Sequence, residues 1–220
     1  MAAEVLCNRW TIILLRELVS GSTRFNEIRR GVPRMSPALL SKRLKELEQA
    51  GIVRRVASPV EAGIVEYHLT RSGRELKPVV EAVGMWGQRW VEANPSLQNL
   101  DADLLMWDMR RNLDPSPMPR RRVVIEFLNP EQPPKHRHYW LVVAPGAEVD
   151  LCSVDPGFDV DLYVTTDLRT MTAIWMGLTS VQEALAGNAL MLTGDRQLAK
   201  DIRAWLRLSP FAAEKKLARA

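Results

Sequence analysis

The sequence predicts an α+β protein in two parts: a mainly helical N-terminal part closed by a β-hairpin, and a C-terminal part of strands and helices. Three observations predict it. Residues 36–53, SPALLSKRLKELEQAGIV, read as a capped helix in which Leu40, Leu44 and Leu47 recur at helical spacing beside Leu39. Residues 114–119, DPSPMP, hold three prolines in six residues, an extended break by their fixed φ and missing donors. Beyond residue 122 the pattern changes from helical to mixed, with strand runs followed by helices and one returning strand.

The 220 residues suffice for one large or two small cores. A hydrophobic share of 46% and a charged share of 25% belong to a soluble globular chain. No apolar run is long enough to cross a bilayer, so no membrane partner is expected. The N-terminus lacks a signal-peptide pattern. Cys7 and Cys152 are the only cysteines and stand far apart, which argues against a disulfide framework and for a cytoplasmic setting. Through Ala93, fifteen Lys and Arg stand against ten Asp and Glu, a balance of +5 out of the overall +4. The remainder is near neutral, so a polyanionic partner is expected for the first part only.

Along the chain, residues 5–18 read as a first helix with Trp10, Ile13, Leu14 and Leu18 on one face. Gly21 and Ser22 end it, and residues 25–30 form a short second helix with Phe25 and Ile28 inward. Gly31 and Pro33 then force a turn. Ser36 caps the next helix, Pro37 suits its first turn and Gly51 stops it. With the leucines buried, its other face carries Ala38, Ser41, Lys42, Lys45 and Gln49. Small, hydroxyl, amide and cationic groups suit a DNA major groove, although taken alone the same surface is that of any solvated amphipathic helix. Arg43 falls near the leucine face, where its stem packs and its head reaches a carboxylate or a phosphate.

Residues 52–56 and 64–69 are β-prone runs joined by ASPVEAG, a hairpin directly after that helix. Arg54 and Arg55 at its base are candidates for phosphate contact, the kind that positions without reading sequence. A further helix after Arg71-Ser72-Gly73 carries Leu76, Val79, Val80, Val83, Trp86 and Trp90 at steps of three, four and seven. The stripe is wider than a small hairpin needs, and is read as a face for a second copy, since groove-reading domains use two half-sites.

Short helix, turn, longer helix and wing form the order of a winged helix-turn-helix. RWTIILLRELVSGSTRFNEIRRGVPRMSPALLSKRLKELEQAGIVRR, with VEYHLTRSGRELKPVVEAVGMWG, resembles the HxlR family of bacterial transcription regulators over residues 9–87. The resemblance implies a MarR-like, homodimeric domain on double-stranded operator DNA. Ser36, Ala38, Ser41, Lys42, Arg43, Lys45, Arg54 and Arg55 are its expected DNA contacts. Two departures stand out. Ile64 occupies the place where members usually carry a basic wing residue. Cys7, three residues before Trp10, is not at the upstream position of the cysteine that members often carry, and is expected to be a small buried hydrophobe.

In the second part, Asp101 caps a short helix through Leu113, and residues 123–128 and 139–144 read as strands split by NPEQPPKHRH. Residues 148–154 and 160–165 are further strand candidates. Asp167 caps 168–177, Ser180 caps 181–187, residues 189–194 form a strand, and Asp195 caps a last helix through Leu208. The expected domains are 1–93, a helix and proline-rich linker over 94–121, and 122–220. DVDLYVTTDLRTMTAIWMGLTSVQEALAGNALMLTGDRQLAKDI resembles the later half of a sterol carrier protein-like domain. That resemblance implies a sheet and helices around an apolar tunnel. Phe158, Met171, Ile174, Trp175 and Leu178 are the candidate lining for an apolar small-molecule effector, while their spacing equally fits plain core.

Catalytic chemistry finds no constellation: no phosphate-binding glycine loop, GxSxG or HExxH occurs. His136-x-His138 lies on an expected flexible basic loop without supporting ligands, so neither metal nor cofactor is expected. The sequence therefore supports a dimeric DNA-binding regulator whose second domain senses a ligand or braces the dimer. The alternative is a carrier of lipid or acyl chains that uses the winged helix for assembly.

Overall fold

The computed structural model describes residues 1–91 and 100–217. It divides into two units, residues 1–87 and 88–220.

The first unit begins with α1 (Ala2–Leu6) and α2 (Thr11–Val19). The expected single helix over 5–18 is broken, because Trp10 adopts a left-handed φ of 78° and Thr11 N–H closes a turn onto the Asn8 carbonyl. Within α2, Leu14, Leu15 and Leu18 are buried while Ile13, expected on their face, is exposed. Cys7, expected inside, is exposed at the end of α1, before the chain has turned toward the core. Next come α3 (Phe25–Gly31), α4 (Pro37–Gln49), β1 (Val53–Ala57) and β2 (Val65–Leu69). The strands pair antiparallel, with Val53 opposite Leu69 and Ala57 opposite Val65. The Tyr67 N–H donates to the Thr23 carbonyl at 2.7 Å, so residues before α3 cover the outer edge of β2. α5 (Arg71–Arg74) and α6 (Lys77–Trp90) follow. Leucines of α2 and α4 join Ile28, Val32, Met35, Ile52, Val53 and Val80 in one core.

Gly31 marks a close approach. A Cβ there would lie 1.8 Å from the carboxylate carbon of Glu17, whose side chain is 0% exposed. Glu17 is held by the Arg16 guanidinium at 2.5 Å and the Ser22 hydroxyl at 3.3 Å. The turn from α3 into α4 is therefore seated on a buried carboxylate of α2.

In the second unit, α7 (Ala102–Asn112) is capped by Asp101, which accepts from the Leu104 N–H at 3.0 Å. Five strands, β3 (Val123–Leu128), β4 (His138–Val143), β5 (Asp150–Cys152), β6 (Leu162–Thr166) and β7 (Leu190–Gly194), form a sheet in the order β5-β4-β3-β6-β7. β3 runs antiparallel to β4 and parallel to β6. VVIEFL is apolar almost throughout because this central strand is covered on both faces. α8 (Leu168–Trp175) and α9 (Val181–Ala186) are capped by Asp167 and Ser180. After β7, one helix to residue 208 was expected, but two short ones form, α10 (Arg196–Lys200) and α11 (Ile202–Trp205). Trp205, fully buried, donates its indole N–H to the Leu198 carbonyl at 2.8 Å, folding α11 back on α10.

Residues 100–121 are part of this unit's core rather than a free tether. Leu105, Met106, Met109, Leu113 and Met118 join the cluster built on Ile125, Phe127 and Leu141. The Asp114 N–H donates to the Trp205 carbonyl, and the Asp114 carboxylate pairs with Arg207. Prolines that suggest an extended spacer here lay a strap along the fold. The stretch 92–99, which includes the start of the expected linker, lies outside the described residues.

Candidate nucleic-acid interface

α4 and the hairpin after it carry the sequence-predicted contacts. Ser36 is extended, and its hydroxyl accepts the Leu39 N–H at 3.3 Å, which settles one of the free donors at the helix start. Pro37 opens the helix, and Gly51 leaves it at φ +68°, a conformation costly for a residue with a Cβ. Leu40, Leu44 and Leu47 are buried, so geometry turns Ala38, Ser41, Lys42, Lys45 and Gln49 outward. Ser36 is exposed as well. Lys42 is 68% exposed, with Glu46 4.0 Å away.

Arg43 is set apart from this row. Its side chain is 17% exposed and its guanidinium is paired with Glu46 one turn on. It lines a cleft of about 230 Å³ with Glu4, Thr11 and Ala50, on the flank of α4 that faces α1 and α2. Packed stem and paired head is one of the two arrangements anticipated for it.

Arg54 and Arg55 are both exposed on β1, opposite His68 and Tyr67 respectively. Consecutive strand residues point to opposite faces, so one surface cannot meet both side chains squarely. The wing is held by contacts that sequence reasoning missed. Arg24 pairs with Glu61 at 2.9 Å, joining the start of α3 to the wing loop, and the Glu61 carboxylate raises the Arg24 pKa. Glu66 accepts from the Ser58 hydroxyl at 2.8 Å and lies 2.9 Å from His68 Nε2, and these contacts hold its carboxyl below the usual range. Glu27 accepts the Thr23 and Arg24 N–H groups at 3.0 and 3.1 Å. The Arg24–Glu27 spacing at a helix start signals that last contact in the sequence, whereas nothing local signals Glu61.

The stripe on α6 divides. Val80 is buried and Leu76 packs on the core of its own unit, while Val79, Val83, Trp86 and Trp90 are exposed, Trp86 at 60%.

In the second unit the candidate ligand residues are not all together. Met171 and Ile174 are core, Trp175 packs against that core, and Leu178 is half-buried. Phe158 stands apart, 40% exposed, with the Arg122 guanidinium 4.1 Å above its ring. The histidines expected on a flexible loop are instead tied down, because a 3-10 turn leads directly into β4. His138 Nδ1 lies 2.7 Å from Glu126, and His136 Nδ1 lies 3.4 Å from Asp103. The Tyr139 hydroxyl donates to Asp103 at 2.7 Å, and burial with that carboxylate pushes the phenol well above its ordinary range. Among the described residues, no group of three or more His, Cys, Asp or Glu side chains is arranged to hold a metal ion. No helix among them is long and apolar enough to cross a membrane.

A short helix, a tight turn, a longer helix with an outward polar face and a two-stranded wing define the first unit as a winged helix-turn-helix, a DNA-binding class. The HxlR-like helix-turn-helix family profile matches residues 5–95. The chain is 37% identical over 91 residues to the uncharacterized HTH-type transcriptional regulator YvaP of Bacillus subtilis, covering 41% of this chain and 84% of that protein. It is 36% identical over 91 residues to the HTH-type transcriptional regulator YodB of the same organism, covering 41% and 81%. A solved structure of the redox regulator HypR in its reduced form shares 35% identity and covers 44% of this chain and 92% of that one, with a TM-score of 0.37. The chain belongs to the HxlR-like family of helix-turn-helix regulators, which are DNA-binding proteins and not enzymes.

Proposed function

We propose that this regulator binds double-stranded operator DNA as a homodimer, with α4 in the major groove. The observation that carries the reading is the division of α4 into a buried leucine face and an exposed row of Ala38, Ser41, Lys42 and Lys45. Such groups hydrogen-bond to base edges and neutralise phosphate. Ser36 and Arg54 or Arg55 serve the backbone, and Arg43 contributes from the flank. The exposed Val79, Val83, Trp86 and Trp90 form the dimer face, with Leu76 and Val80 anchoring it to each subunit's core. Residues 1–93 are then the DNA-binding and dimerising domain, and 122–220 a sterol carrier protein-like domain that senses an apolar molecule or braces the dimer. The lining of such a site centres on Met171, Ile174, Trp175 and Leu178 of α8 and the residues after it, with Phe158 at its margin. An effector acts there only through different affinities for the DNA-competent and incompetent states.

The test is affinity for DNA upstream of the protein's own gene against unrelated DNA of equal length at one salt concentration. A preference of roughly 10³ or more supports the regulator's site. Equal affinity there and across a genome-wide fragment selection refutes specific operator binding, and saturable uptake of a fatty acyl probe would then favour the carrier alternative.

A further inference from the structure

A second cleft, about 390 Å³, opens in the first unit between the end of α2, the wing strands and the start of α6. Its walls include Leu18, Tyr67 and Leu69, all of which belong to the core of the unit or pack on it. Its lining also includes Arg54, Arg74 and Lys77, all exposed. These three cations come from β1, α5 and α6, so the fold gathers them from separate elements. No acidic side chain is among the described residues that line the cleft. Of the nearby carboxylates, Glu66 lies against His68 and Ser58, while Glu81 lies 3.8 Å from Lys77 itself, whose side chain is still 60% exposed. Arg74 spends one N–H on the Leu69 carbonyl at 2.9 Å, which holds its head beside the cleft while leaving its other donors.

An apolar floor under a cationic rim fits a ligand with an apolar body and an anionic head. We infer that this cleft is a binding site for small amphipathic organic anions, with an aryl or alkyl body on Leu18, Tyr67 and Leu69 and a carboxylate at Arg54, Arg74 and Lys77. The same cations also suit a DNA phosphate, so the anionic oxygen has two candidate sources. The free small molecule is favoured by the floor, since a phosphodiester has no apolar body to place there. This site is distinct from the proposed apolar lining of the second unit. Binding itself does not depend on the proposed operator function, whereas any effect on DNA does, because Arg54 is assigned to both.

The test is calorimetric titration of the full chain with 1-naphthoate, its neutral amide 1-naphthamide, and inorganic phosphate. The expected result is saturable binding of naphthoate, with the amide and phosphate each weaker by about tenfold or more, the value of one charge-assisted contact. Lys77→Gln should weaken naphthoate by a similar factor while circular dichroism and the unfolding midpoint stay at parent values. Arg74→Gln provides a second variant should Lys77→Gln disturb the fold. Equal binding of acid and amide, or unchanged naphthoate affinity in both folded variants, overturns the site. If naphthoate fails to bind and Lys77→Gln instead lowers the salt dependence of DNA binding, the cations serve phosphate and the inference is wrong.

Discussion

Adding one methyl group at Gly31 should loosen the seat of α4 without touching any residue assigned to DNA. The new Cβ would lie 1.8, 2.0 and 2.4 Å from the Glu17 carboxylate atoms, where ordinary contact needs roughly 3.5 Å or more. Glu17 is 0% exposed and is held by Arg16 and Ser22, so it has no open solvent to retreat into. Displacing one member of a buried ion pair costs roughly 3–5 kcal/mol. For a unit of this size, each kcal/mol moves the melting point by about 4–8 °C, so even the lower end lowers it by about 12 °C. The assay is urea unfolding of the full chain, with hydrogen exchange of α2, α3 and α4 peptides to localise the loss to the first unit. A second arm places Gly31→Ala in a Glu17→Ala background, where the carboxylate is gone. There the substitution should cost less by about 2 kcal/mol or more, a coupling expected of residues in contact. A Gly31→Ala midpoint equal to the parent's, or an equal cost in both backgrounds, would show that the close approach is not what requires glycine.

Lys42→Ala should weaken operator binding by roughly 1–3 kcal/mol at matched salt, with an unchanged unfolding midpoint because the side chain is 68% exposed. Equal binding of variant and parent would remove Lys42 from the groove. Trp86→Ser should shift sedimentation toward monomer while leaving each subunit's stability intact, since Trp86 is 60% exposed within one chain. A dimer that sediments unchanged would place the interface elsewhere. The Asp114 carboxyl is held down to about 2 from an ordinary 3.8, first by its hydrogen bond from Arg207 and then by Ser116. A lowered folded-state pKa contributes stability that is present above about pH 4 and lost as pH falls toward 2. Asp114→Asn should therefore lower the urea midpoint at pH 5–7 and converge on the parent near pH 2, and a gap independent of pH would discount the pair.

Much of the proposed interface was legible because its signals are local. Ser36, Pro37 and Gly51 bracket α4 by their own backbone preferences, and three leucines at helical spacing determine which face is left outside. The caps at Asp101, Asp167, Ser180 and Asp195 are equally local, and each accepts a backbone N–H at its helix start. Expectations failed where distant residues decide. Trp10 adopts a left-handed φ that turns α2 away from α1, which no periodicity reveals. Asp201 and the buried Trp205 fold the last helix back, and DPSPMP follows the sheet because Asp114 finds Trp205 and Arg207, some ninety residues on.

Sequence alone was enough to determine the mixed α and β character, the buried and exposed faces of α4 and the family to which the winged helix-turn-helix belongs, since each rests on spacing or on a contiguous motif. Tertiary structure alone decided that Glu17 lies beneath Gly31, that Arg24 reaches Glu61, and that Arg54, Arg74 and Lys77 surround one cleft. The physical reason is that caps and amphipathic faces follow from interactions within a few residues, whereas these groups meet only after helices and strands have packed.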